Sequence, residues 1–250
     1  MTALRRGGVA VAAAILLAAC SGPDDGAGPS TVPPVPPSTT SSSTASTSTA
    51  PPTAEPSTPT PFGTLEQPAV WPAADDLVNS PGTAAASFVE TTLGVPARLG
   101  DFRSGDSRSG EIDLLFAGNP DTTPLVRSTL LLRMLGAGDG WFVTAAVNEH
   151  VRIDAPTPGA TVAAGPLEVS GAGRGFEGLV IVEAFRPGTA EPLDRQTAQG
   201  GSLEQAEPFT ATLDLSGATP GETLAIVVHG GTGHEEDPGD LAAIPVVVRE

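Results

Sequence analysis

Between Ser80 and Pro96 the apolar positions recur at helical spacing, so that Ala84, Ala85, Phe88, Val89 and Leu93 share one face. Ser80 followed by Pro81 reads as an N-cap with proline at the first helical position, and Gly94 with Pro96 ends the pattern. Downstream the period shortens to that of strands, with candidates over residues 97–102, 111–117, 128–135 and 141–147. The last two flank the turn Gly136-Ala137-Gly138-Asp139-Gly140 and predict a strongly paired hairpin. One helix covering one face of such a sheet is a small α+β module, placed at residues 66–150. Trp71 and Trp141 are expected to pack in or beside it, as buried indoles commonly do.

From residue 151 the helical period disappears. Short apolar runs at 167–170, 179–185, 209–215, 224–228 and 244–249 alternate with glycine, proline and acidic turns. Some seven short strands in about 100 residues predict an all-β immunoglobulin-like sandwich over residues 151–250.

The first 65 residues follow neither pattern. Arg5 and Arg6 precede a short apolar run, Val9 to Leu17, and Ala18-Ala19 supply the small residues of a cleavage site, so residues 1–19 read as an export signal peptide. The run is shorter than the roughly 20 residues a membrane-spanning helix needs. Leu17-Ala18-Ala19-Cys20, followed by Ser21-Gly22 and containing the chain's single cysteine, resembles the lipobox of bacterial lipoproteins. The resemblance implies that Cys20 becomes a lipidated N-terminus, anchored by acyl chains such as palmitate to the extracytoplasmic face of the cell membrane. Each buried CH₂ contributes about 0.8 kcal/mol, so two or three chains hold firmly. Residues 20–65 are dominated by proline, serine and threonine. They offer nothing to bury against the entropy of ordering, which predicts a disordered linker.

The C-terminal half carries a second likeness. Val151-Arg152-Ile153-Asp154-Ala155-Pro156-Thr157-Pro158-Gly159-Ala160-Thr161-Val162, then Pro166-Leu167-Glu168-Val169-Ser170-Gly171-Ala172-Gly173 and Phe176-Glu177-Gly178-Leu179-Val180, occur in order. Glu207-Pro208-Phe209 and Ile244-Pro245-Val246 follow. Together these resemble the immunoglobulin-like domain of bacterial sporulation and spore-germination lipoproteins. The likeness implies the sandwich fold and an envelope setting, and brings no catalytic residues with it. Pro158-Gly159 suits a turn, Ser170-Gly171 a close strand pairing or change of sheet, and Pro245 an edge or the start of a strand.

Charge narrows the partners. The chain carries 29 acidic and 12 basic residues, a net charge of −17, and becomes more acidic once Arg5 and Arg6 leave with the signal. Such a surface repels nucleic acid and anionic headgroups. The candidate bases are His150, His229 and His234, and none neighbours a Gly-x-Ser-x-Gly elbow. The loop from Gly230 to Asp240 holds His234, Glu235, Glu236, Asp237 and Asp240. It lacks the spacing of an EF-hand and a second zinc ligand set, and reads as a solvated connecting loop rather than a calcium site. Asp101, Asp106, Glu111 and Asp113 suggest a carboxylate pair for glycoside hydrolysis, but Arg103 and Arg108 intervene, and residues 101–111 read as a polar hairpin loop before a polymer-recognition loop. The sequence therefore predicts no catalytic, cofactor-binding or metal residues, and lipidation at Cys20. It predicts a non-enzymatic binding or scaffolding protein of the cell envelope whose partner is an envelope protein or cell-wall polymer. The alternatives are an enzyme or accessory acting on wall polymer, and a small-ligand carrier with a deep apolar pocket between helix and sheet.

Overall fold

A computed structural model describes residues 65–118 and 123–249. The signal, Cys20 and the linker through residue 64 lie outside the described residues. No described helix is long and apolar enough to cross a membrane.

The helix forms where its caps allow. Helix α1 spans Pro81–Phe88 and continues as a wider π turn, Val89–Leu93. The Ser80 hydroxyl accepts from the Thr83 amide at 3.1 Å, and Gly94, at φ +67°, closes the C-terminal end in the left-handed region. Ala84, Ala85, Phe88 and Val89 are completely buried.

Among the described residues twelve strands follow: β1 Arg103–Asp106, β2 Ser109–Phe116, β3 Leu125–Leu135, β4 Gly140–Val147, β5 Arg152–Ala155 and β6 Thr161–Val162, then β7 Pro166–Gly173, β8 Leu179–Phe185, β9 Pro192–Gln199, β10 Glu207–Asp214, β11 Thr223–Gly230 and β12 Leu241–Val248. They make a sandwich whose larger layer runs β1-β2-β3-β4-β12-β11-β8-β9, with β6 added beside β12, and whose smaller layer is β10-β7-β5. The larger sheet thus crosses the boundary between residues 150 and 151 without a break, through the Ala146↔Ala243 pair of β4 and β12. Small side chains at this junction let α1 lie close over it, and both alanines are buried.

Alternation within β8, β11 and β12 explains the architecture. Phe185, Ala225, Val227, Leu241 and Ala243 face α1 and share its core with Ile112, Leu114, Leu130, Leu132 and Val143. Val180, Val182, Leu224, Ile226, Val228, Ala242, Ile244, Val246 and Val248 face the opposite way, into the core against Val169, Phe209, Ala211 and Leu213 of the second layer. Strands buried on both faces need apolar residues at every position, and β11 and β12 have them nearly throughout.

Three expectations change. Residues 97–102 form no regular strand: Leu99 makes an isolated bridge to Leu114, and the first true strand is β1, whose exposed polar residues hide the alternation. Strand β9 escapes the apolar pattern for the same reason, with half of its residues exposed and none fully buried. Pro245 lies inside β12, between β11 and a gap on the other side. Its carbonyl accepts from the Gly159 amide at 2.7 Å on the β6 side, and within a strand the nitrogen points the same way. The missing N–H therefore falls between β4 and β6, where no ladder bond is lost. Gly171 pairs closely, as its strand position suggests: a Cβ there would stand 2.0 Å from the Arg152 carbonyl oxygen.

Because the α1 core contains side chains from β11 and β12, the two halves are expected to unfold together. Leu241→Ala should cost about 2–5 kcal/mol, and the transitions seen by Trp71 and Trp141 fluorescence and by far-ultraviolet dichroism should coincide before and after the change. Two separated transitions would show that the halves unfold independently.

Candidate functional site

The chain leaves the larger sheet at Asn148. Its side-chain oxygen accepts from the His150 amide at 2.6 Å and the Val151 amide at 3.0 Å, while its Nδ2 donates to the Arg127 carbonyl at 2.9 Å. This turn sends the chain from β4 into the second layer, and beside it a groove of about 640 Å³ opens along the seam. Leu125 to Thr129 of β3 form one wall, Val147 to His150 the other, and Arg174 and Asp240 the floor.

The floor is held by charges. Arg127 donates to both carboxylate oxygens of Asp237, from Nε at 2.9 Å and from Nη2, and its Nη1 lies 3.3 Å from Asp240. Arg174 Nε donates to the other oxygen of Asp240 at 2.7 Å. Two guanidinium groups face two carboxylates, and all four side chains are largely or wholly shielded from water. The Arg127 guanidinium also sits 5.5 Å from the centre of the Phe116 ring.

The segment from Gly230 to Asp240 is therefore no solvated connector along its whole length. Asp237 accepts from the Gly239 amide at 3.0 Å, and Gly239 at φ +73° comes so close to Gly230 that a Cβ would stand 2.1 Å from its carbonyl oxygen. That tight turn drives Asp237 and Asp240 inward, while Glu235 and Glu236 stay exposed and Glu236 meets Arg98 at 3.3 Å. Both buried carboxylates are engaged by arginine, a poor start for calcium, which needs free oxygens. Among the described residues no group of three or more potential ligands is arranged to hold a metal.

His229 and His234 line one cleft beyond the helix end, and His150 lies apart on the groove. His150 lies on the groove wall, Nε2 at 2.9 Å from Glu149. His234 packs edge-on against Phe116, ring centres 5.2 Å apart. His229 faces the buried Glu183, 3.3 Å away, whose other oxygen meets Arg195 at 3.2 Å. Sequence reasoning missed Glu183; its only signal is one acid inside an otherwise apolar strand.

Asp106, Glu111 and Asp113 belong to the β1–β2 hairpin, and Asp101 precedes it. Arg103 donates to both oxygens of Asp113, at 2.6 and 2.8 Å, and to Glu111 at 3.0 Å. This bonding, with a further donation from Thr129, holds the Asp113 carboxyl below its ordinary range. An acid so stabilised as its anion does not suit proton donation to a leaving group. Between α1 and the sheet the space is filled by Phe88, Val89 and Trp71, whose Nε1 donates to Ser87 at 2.8 Å. A cleft of about 460 Å³ opens beyond the helix end, beside Leu93, Val95, Ile181, His229 and His234.

Two measurements follow. Removing one partner of the buried network, as in Asp237→Ala, should destabilise the protein by about 3–5 kcal/mol in denaturant titration, because it strands the Arg127 charge; a loss under 1 kcal/mol would show that water reaches the site. Because the Asp113 carboxyl is lowered in the folded state, its contribution is complete above the ordinary value near pH 4 and fades as pH falls through the lowered one. Asp113→Asn should thus lower stability at neutral pH and flatten its dependence on pH below about 4, and an unchanged acid limb would refute the assignment.

Comparison with known proteins places part of this architecture. No curated protein matches the chain, and no solved structure does either. Residues 150–230, from the turn below the groove through the end of β11, match the family model described as the immunoglobulin-like domain of bacterial spore germination.

Proposed function

We propose that this protein is a lipid-anchored, extracytoplasmic lipoprotein with a non-catalytic binding or scaffolding role in the cell envelope. The observation that carries the reading is the seam groove, where Leu125, Val126 and Val147 remain exposed beside a floor whose charges are already matched. Exposed apolar side chains grouped beside a groove suit recognition of a partner surface. The spore-germination-type match of residues 150–230 supports an envelope setting. The Leu17-Ala18-Ala19-Cys20 motif supports anchoring through acyl chains on Cys20, with the Pro/Ser/Thr-rich stretch as spacer. An envelope protein or a wall polymer is the partner class, and the acidic surface disfavours nucleic acid.

Catalysis and small-ligand carriage find less support. Glu111 and Asp113 are bound by Arg103, and the helix–sheet interface is packed with side chains.

Crosslinking the anchored protein in intact cells should enrich an envelope protein or wall polymer over a control lipoprotein carrying the same spacer; no enrichment would refute the binding role. Cys20→Ser should shift the protein out of the membrane fraction or leave its precursor unprocessed, and membrane retention equal to wild type would refute anchoring.

A further inference from the structure

Helix α1 leaves part of the sheet beneath it uncovered. On the helix side, alternation carries β8 from Phe185 through Glu183 and Ile181 to Leu179, and β11 from Val227 through His229 to the Gly231 that follows it. The helix stops before the last of these. Leu93 and Val95 line the 460 Å³ cleft from the helix side, Ile181 and His229 from the sheet.

Beyond His229, glycines take the place of side chains. Gly231 donates to the Leu179 carbonyl at 2.9 Å and accepts from the Phe176 amide at 2.5 Å, and a Cβ on it would stand 3.0 Å from the Leu179 side chain. Gly233, at φ +72°, lies in the same way against the Phe176 ring. Both glycines line the cleft, so it runs on as a track past Leu179, 41% exposed, and Phe176, 50% exposed.

The track selects its occupant by what it lacks. The amide and carbonyl of Gly231 are paired, His229 is engaged by Glu183 and His234 by Phe116, and Ile181, Leu179 and Phe176 are apolar. A glycan laid there would leave hydroxyls without partners, whereas apolar side chains would not. Charge narrows the choice further. The cations nearby are spent, Arg195 on Glu183 at 3.2 Å, Arg98 on Glu236 at 3.3 Å and Arg127 on Asp237. Glu235 on the cleft and Glu177 next to Phe176 are exposed, and neither is in an ion pair among the described residues. Unanswered carboxylates beside an apolar track favour lysine or arginine. They repel anionic polymers, anionic headgroups and a second copy of a chain whose net charge is −17.

We infer that the track from Ile181 to Phe176 binds a partner protein that lays aliphatic or aromatic side chains over Ile181, Leu179 and Phe176 and sets lysine or arginine against Glu177 and Glu235. This rests on the binding role proposed above and adds a second surface to it.

The test places the photo-reactive residue p-benzoylphenylalanine at the position of Leu179 in the full, anchored protein in intact cells. The control is the position of Leu77, which is exposed beside Gly138 and Gly140. Irradiation should attach a partner protein at the first position and not at the second, and mass spectrometry should find the attachment in a peptide where lysine or arginine flanks apolar residues. The identified partner, purified, is then titrated by fluorescence anisotropy. Leu179→Asp should weaken its binding by at least about tenfold, and Glu177→Lys combined with Glu235→Lys by about threefold to tenfold. All three positions are exposed, so melting curves should stay unchanged; should Leu179→Asp fail to fold, Phe176→Asp decides. Failure to attach a protein, attachment to lipid, glycan or a second copy alone, equal attachment at both positions, or equal affinity of wild type and the folded variants would each overturn the inference. A partner enriched by the whole protein yet silent at the Leu179 position would refute the track and leave the binding role standing. One attached there that fractionates away from the envelope would refute the envelope role alone.

Discussion

Strands β8, β11 and β12 bury side chains on both faces at once, and the arrangement of the whole unit depends on this. One face receives α1 and the other receives β7 and β10, so the same three strands serve two cores. A strand in that position cannot be exposed on either side without leaving apolar surface in water at roughly 25 cal/mol per Å². The N-terminal sheet therefore is no appendage of the sandwich: it continues β12 sideways, and α1 covers the joint.

Continuity of the sheet leaves a problem at its far corner, where β4 must depart for the second layer. Asn148 solves it locally by satisfying the backbone of the turn, and the arginine–aspartate network solves it globally by tying β3, the end of β7 and the turn before β12 together. Buried ion pairs contribute little net stability against well-packed apolar groups, but they tolerate only one geometry. Here they fix β3 against the floor of the groove, while the Asn148 bond to the Arg127 carbonyl links its two walls. The groove is thus a by-product of how the layers are connected.

For function, this shifts attention from the ends of the sandwich to its side. The histidines and the hairpin carboxylates each have a structural partner where they stand: His229 with Glu183, His234 with Phe116, Asp113 with Arg103. What lies open among the described residues is the apolar surface of Leu125, Val126 and Val147 beside the groove.

The sequence by itself determined what depends on local pattern. Ser80-Pro81 and Gly94 bounded the helix, the turn at residues 136–140 joined β3 to β4, and the ordered motifs from Val151 onward placed the immunoglobulin-like residues. It also contained the clue to two-sided burial, since the unbroken apolar runs of β11 and β12 fit no strand with a wet face. Only the tertiary structure decided which strands are neighbours. The Ala146↔Ala243 pairing, the burial of Asp237 and Asp240 beneath Arg127 and Arg174, and the harmless setting of Pro245 all join residues far apart in the chain. The physical reason is that caps, turns and periodicity are properties of a few consecutive residues, whereas an edge is open or closed only once every other strand has taken its place.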